Sequence, residues 1–282
     1  MTTNQTEQIA EYYDKTLPFY KIFWHKDDES YALHYGFWNK NTKNLKEALL
    51  NENKFLADIL NISSGIKILD ASCGIGGSSI WLTKNFDVSV MGITLSKKQL
   101  EKANLLAKKH DVQERVEFQL QNFLDTKFPN NYFDIVWAIE SVCHAEDKKE
   151  FLNEAYRILK PGGKIIVADG FLNRDINDNE KKIYKDFLDG LALPNLVKYY
   201  DFEKYIKDVG FDNVKNFNKT EETEPSARIL FRKTLLLTPF AKILHKLGLV
   251  SSAVFKNGPA GIAQYKLIKS GAVGYAVFYG EK

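Results

Sequence analysis

The chain has 282 residues, and its 39 basic and 36 acidic side chains leave a net charge of +3. That length suits one α/β domain with an insertion or cap, and the mixed charge argues against the basic stripe of a nucleic-acid binder. The polar opening MTTNQTEQ is no secretory signal, no apolar run reaches the ~18 residues of an integral membrane segment, and Cys73 and Cys143 make no disulfide framework, as in a reducing cytoplasm.

Residues 6–38 read as a helix followed by an aromatic-rich segment, with Tyr12, Tyr20, Trp24, Tyr31 and Trp38 among its rings. Two readings stand side by side: an arm that packs by aromatic burial, or a cover whose ring faces lie near a cationic ligand. Residues 44–61 place Leu45, Ala48, Leu49, Leu56 and Leu60 at helical spacing, which predicts a helix on the sheet.

Ile66–Leu82, IKILDASCGIGGSSIWL, reads as a buried strand ending on Asp70, a glycine turn and a helix start. The dinucleotide fingerprint would need a glycine at position 79, which is Ser79, and no Gly-Lys-Ser/Thr follows. The pattern is D-x-x-C-G-x-G-G instead. An acid at the strand tip suits a ligand with a positive amino group better than a pyrophosphate.

Val88–Ile93 is the second predicted strand. Ser96 then caps a helix, with Gln99 at capping-box spacing. Val116, Phe118 and Leu120 alternate as a third strand that exits at Asn122 and Phe123. Phe133–Ile139 is the fourth, ending on Glu140 and Ser141. Strand ends of this kind are where ligands sit in open α/β sheets. His144 follows just beyond, either as a loop histidine or as a proton acceptor. Asp147–Leu159 is an amphipathic helix, Lys160–Gly163 a turn, and 164–170 the fifth strand. Helices are expected at Lys181–Leu193 and Asp201–Val209, and a closing strand pair at Val214–Phe217 and Val273–Tyr279. Between the last two, Glu221–Ser270 carries an apolar stripe through Phe240, Ile243, Leu244 and Leu247. That stripe reads as an accessory helical layer, a lid over an apolar substrate or, least favoured, a membrane-surface contact.

Residues 66–170 resemble the class I S-adenosylmethionine-dependent methyltransferases, in the glycine loop, the strand tips and the L-K-P-G-G-K turn. The opening I-x-x-x-Y-D…H-Y-G-x-W, with G-I-T-L-S-x-x-Q and E-S-x-x-H, resembles their tocopherol-methyltransferase and cyclopropane-synthase-like branch. The resemblance implies a Rossmann-like α/β fold: a seven-stranded, mostly parallel sheet with helices on both faces, an N-terminal arm and a C-terminal helical cap. The divisions expected are an arm over 1–61, a cofactor-binding core over 62–175, and sheet completion with a cap over 176–282.

By the same resemblance, S-adenosyl-L-methionine is the cofactor. Its methionine end falls to Asp70, Ala71, Ser72, Cys73, Gly74 and Gly76, its ribose to Thr94, Leu95 and Gln99, and its adenine to Asn122 and Phe123. Ile139 and Tyr20 join this set. Thr94 stands where the superfamily carries an acid, and Asn122 where Asp is commoner. Glu140 and His144 are the catalytic candidates; Tyr12, Trp24, His34, Phe187 and Tyr200 are those for the substrate. The implied reaction is methyl transfer to a small, partly hydrophobic acceptor, by a monomer or homodimer. The alternative is a non-catalytic cofactor-binding protein or a methyltransferase-fold cyclase.

Overall fold

A computed structural model describes residues 3–23 and 30–282. Its seven-stranded sheet runs in the order β3-β2-β1-β4-β5-β7-β6. The strands are β1 (Lys67–Ala71), β2 (Ser89–Thr94), β3 (Val116–Leu120), β4 (Phe133–Ile139), β5 (Leu159–Leu172), β6 (Asp212–Asn218) and β7 (Val273–Glu281). β7 is antiparallel to both of its neighbours, β5 and β6; the other pairings are parallel.

Successive strand residues point to opposite faces. Ile68, Val90, Ile135 and Trp137 join the core on one face, and Leu69, Ile93, Val136 and Ala138 the core on the other. A sheet covered on both sides needs near-continuous apolar runs, which is why IKIL and FDIVWAI carry few polar residues.

The helices are α1 (Thr3–Phe23), α2 (Leu45–Leu60), α3 (Gly77–Asn85), α4 (Lys97–Lys109), α5 (Lys148–Ile158), α6 (Lys181–Gly190), α7 (Tyr199–Val209), α8 (Thr220–Lys246) and α9 (Ser252–Lys269). Their starts follow the side chains present. The Ser96 hydroxyl accepts from Gln99 N at 3.0 Å and the Asp147 carboxylate from Lys149 N at 2.8 Å.

Some boundaries depart from expectation; α6, for one, ends at Gly190 rather than Leu193. The Lys160–Gly163 turn lies inside β5, because Leu159 still pairs with Phe133 across a register shift. Glu221–Ser270 folds as the hairpin of α8 and α9. α1 packs against α4 and α9. No described helix is long and apolar enough to cross a membrane.

Candidate active site

The chain turns sharply after β1. Ser72, Gly74 and Gly76 all take left-handed φ, at 78°, 56° and 86°. At Gly76 a Cβ would lie 2.6 Å from the Phe118 ring, so the turn admits no side chain there. It sets the N-terminus of α3 against the end of β1.

Asp70, Ser72, Cys73, Gly74, Gln99 and Ile139, all predicted cofactor residues, line one crevice. His34 and Glu140 line it as well. Gln99 is held from below, since the Thr94 hydroxyl donates to its Oε1 at 2.7 Å. Ala71 is buried in the strand. Leu95, Asn122 and Phe123 are outside this lining. Asn122 Oδ1 accepts from Leu124 N at 3.0 Å, and Phe123 packs edge-on against Phe151. Tyr20 is on α1, with its side chain outside the described atoms, and Trp24 is outside the described residues.

No Lys or Arg borders the crevice among the described residues. Its charged groups are two carboxylates and one histidine. Asp70 is buried and accepts from the Ser79 hydroxyl at 2.6 Å. Burial pushes its carboxyl up to about 6, against the pull of Ser79 and His34. With two carboxylates on its wall, and its one cationic side chain, His34, paired with Glu52, the crevice suits a cation-bearing nucleoside better than a phosphate. The fit extends to the cover: a Cβ on Gly77 would sit 2.5 Å from the Ser30 carbonyl oxygen. The space between loop and cover therefore depends on glycine.

Two of the crevice's charged groups, His34 and Glu140, belong to a buried network that continues to Glu52 and Tyr275. His34 Nδ1 is 2.6 Å from the Tyr35 carbonyl oxygen and 2.7 Å from Glu52 Oε2. Both are acceptors, so Nδ1 carries the hydrogen; it points at the carbonyl, and Glu52 is an ion-pair contact. Burial opposes charge on His34, but Glu52, Glu140 and the Tyr35 carbonyl together outweigh it and the ring rises to about 9. The Tyr275 hydroxyl donates to Glu52 Oε1 at 2.8 Å. Glu140 Oε1 accepts from Tyr35 N at 2.6 Å. Burial and then the Glu52 charge push Glu140 up to about 8, while His34 holds it back. Glu140 sits at φ 43, a strained setting for a residue with a Cβ.

His144 is buried in a short 3₁₀ turn, Val142–His144, and borders neither this crevice nor the cavity described next. Its Nδ1 lies 3.3 Å from the Ala192 carbonyl oxygen, so Nδ1 donates and Nε2 accepts, from the Tyr13 hydroxyl at 2.7 Å. Burial lowers this ring to about 4. Tyr13 itself lines the crevice.

An apolar cavity of about 280 Å³ opens between α8 and α9. Leu33, His34 and Glu140 border it on the inside, so it shares a wall with the crevice. Leu230, Thr234, Leu237, Phe240 and Leu244 line it from α8. Asn257, on its α9 side, accepts from the Tyr12 hydroxyl at 2.7 Å. Phe187 packs in a separate core cluster, and Tyr200 is an exposed residue of α7. Neither lines the cavity.

Sequence reasoning overlooked Tyr13, Leu33, Glu52 and Tyr275. Glu52 carried a signal, since it falls on the stripe of Leu45, Leu49 and Leu56 and is fully buried. The other three carried none.

Residues 1–221 match the mycolic acid cyclopropane synthetase family. The chain is 29% identical over 226 residues to 27-O-demethylrifamycin SV methyltransferase of Amycolatopsis mediterranei, covering 80% of this chain and 81% of that one. It is 27% identical over 235 residues to a probable chloroplastic tocopherol O-methyltransferase of Oryza sativa, covering 78% and 63%. In structure it resembles the cyclopropane synthase MmaA2 from Mycobacterium tuberculosis, with a TM-score of 0.83, 16% identity and 98% of each chain covered. It also resembles the [4+2]-cyclase SpnF, with a TM-score of 0.80, 20% identity and 98% and 96% covered. The family match spans most of the chain, and this protein belongs to the mycolic acid cyclopropane synthetase family of S-adenosylmethionine-dependent methyltransferases.

Proposed function

We propose that methyl transfer takes place at the wall shared by the crevice and the apolar cavity, on a small and largely apolar acceptor. The observation that supports this is the double exposure of His34 and Glu140, which border both spaces. S-adenosylmethionine, when bound, supplies a methyl group already activated by its sulfonium. Asp70 and the backbone of Ser72–Gly74 hold its amino-acid end, and Gln99, braced by Thr94, holds its ribose.

The chain's own work is alignment, water exclusion and proton removal. Leu237, Phe240 and Leu244 seat the acceptor and keep water away. Glu140 takes the proton that an acceptor hydroxyl, amine or carbon gives up. Alone it holds a proton near neutral pH; a cation in the crevice draws that proton off and readies the carboxylate. His34, protonated beside Glu52, fixes the local charge. His144 is a positioning residue, acting through Tyr13. The remaining features of the reading are a cytoplasmic setting, a monomer or homodimer and no nucleic-acid partner.

The test is formation of S-adenosylhomocysteine with isoprenoid, phenolic and amine acceptors. Glu140→Gln should lower kcat by about 10²–10⁴-fold and leave cofactor affinity within a few-fold. A variant that turns over normally refutes Glu140 as the base. Rearranged product without S-adenosylhomocysteine would favour the cyclase reading, to which the fold of SpnF lends its weight.

A further inference from the structure

Charges are mixed along most of this chain, but one stretch departs from that pattern. Residues 225–280 hold eight of the 39 basic side chains and none of the 36 acidic ones, so the rest carries 31 basic against 36 acidic. That span is α8 beyond its first turn, which carries Glu221, Glu222 and Glu224, together with α9 and β7 as far as Gly280.

The outer face of α8 is unusual in a second way. Leu236, Phe240, Ile243 and Leu247 are 71, 65, 58 and 66% exposed. Their spacing puts them on one stripe of the helix. Leu237 and Leu244, beside that stripe, border the apolar cavity. Arg232, Lys242 and Lys246 lie along its other edge, and all three are exposed. An exposed apolar stripe with a basic border is the pattern of a helix lying in a membrane interface.

We propose that α8 docks this protein on the surface of a bilayer bearing anionic headgroups, with Leu236, Ile243 and Leu247 inserted and Arg232, Lys242 and Lys246 against the headgroups. The charge selects this occupant over a second copy of the chain. A two-fold contact through this face would bring the same cations of both copies together. An anionic surface attracts all three. The cavity then opens beside the bilayer, so an acceptor dissolved in lipid reaches it without crossing water. That last step rests on the proposed use of the cavity; the docking does not.

Flotation with vesicles of phosphatidylcholine, alone or with roughly one-third phosphatidylserine, tests the docking without cofactor or acceptor. The protein should bind the anionic vesicles about tenfold more tightly than the neutral ones, and salt should weaken the binding. Combining Leu236→Gln, Ile243→Gln and Leu247→Gln should abolish it while circular dichroism and cofactor affinity stay unchanged. Lys242→Glu with Lys246→Glu should do the same through charge alone. The proposal is overturned by absent or headgroup-indifferent binding, by apolar-stripe variants that still float, or by a wild-type dimer that these variants convert to monomer. Failure here leaves methyl transfer at the shared wall untouched, because no turnover is measured.

Discussion

The Tyr13 hydroxyl lies 2.7 Å from Nε2 of His144, joining the N-terminal helix to the turn that follows β4. A second tie acts nearby, where Asp14 accepts from the Ser96 hydroxyl at the start of α4. α1 is therefore latched over the crevice at two points, one on each side of the parallel sheet's central strand.

Tyr13→Phe removes the hydrogen-bond donor and keeps the ring. The net value of one such bond is about 1 kcal/mol, so cofactor Kd should rise several-fold in calorimetry. His144→Ala removes the acceptor and should weaken binding to a similar degree. If it lowers kcat by a hundredfold while Tyr13→Phe does not, His144 acts directly on the acceptor.

The buried carboxyls should report the arrival of a cation. Asp70 lies near 6 and Glu140 near 8 in the free protein. A positive ligand beside them favours their ionised forms. S-adenosylmethionine binding near pH 7 should therefore release protons, seen as a dependence of the calorimetric enthalpy on buffer ionisation. Glu140→Gln should remove most of that release.

Stability of the free protein should depend on pH in both directions. His34 rises from 6.5 to about 9 and Glu140 from 4.5 to about 8. The folded state holds these protons more tightly, so their contribution is present at low pH. It is lost as pH rises, between 4.5 and 8 for Glu140 and between 6.5 and 9 for His34. His144, lowered to about 4, works the other way: its contribution is full above pH 6.5 and fades toward 4. Urea unfolding should show a decline on the order of a few kcal/mol between pH 6.5 and 9. Glu140→Gln should flatten its share.

Gly36 has a Cβ position 2.4 Å from Ala48 C and Leu49 N, both backbone atoms of α2. Gly36→Ala should cost on the order of 2–3 kcal/mol, read as a lowered Tm. At Gly77 the obstruction is the cover segment at Ser30 and Tyr31. Gly77→Ala should thus weaken cofactor binding more than it lowers Tm.

Thr238 lines the apolar cavity and should set its capacity. Thr238→Trp removes much of the roughly 280 Å³ available. KM for a bulky acceptor should rise about tenfold or more, with cofactor affinity unchanged in parallel titrations.

Much of this protein was legible in its residues, for a local reason. The apolar runs around Ile68 and Trp137 can be buried only in a sheet covered on both faces. Gly74 and Gly76 permit the left-handed turn after Asp70, and Ser96 and Gln99 mark a helix start within four residues of each other. Each of these rests on short-range sterics or periodicity. What the tertiary structure alone decided was which distant groups meet. Glu52 and Tyr275 are 223 residues apart yet share a hydrogen bond, and His34 is held charged by Glu52 with Glu140 and the Tyr35 carbonyl. Leu33 and Glu140 line both the crevice and the cavity of α8 and α9, though more than 100 residues separate them. His144 was read as a proton acceptor from its place after β4; the fold sets its Nε2 against the Tyr13 hydroxyl, and burial lowers its ring to about 4. Burial and long-range contact set these charge states, and neither is encoded in a residue's immediate neighbours.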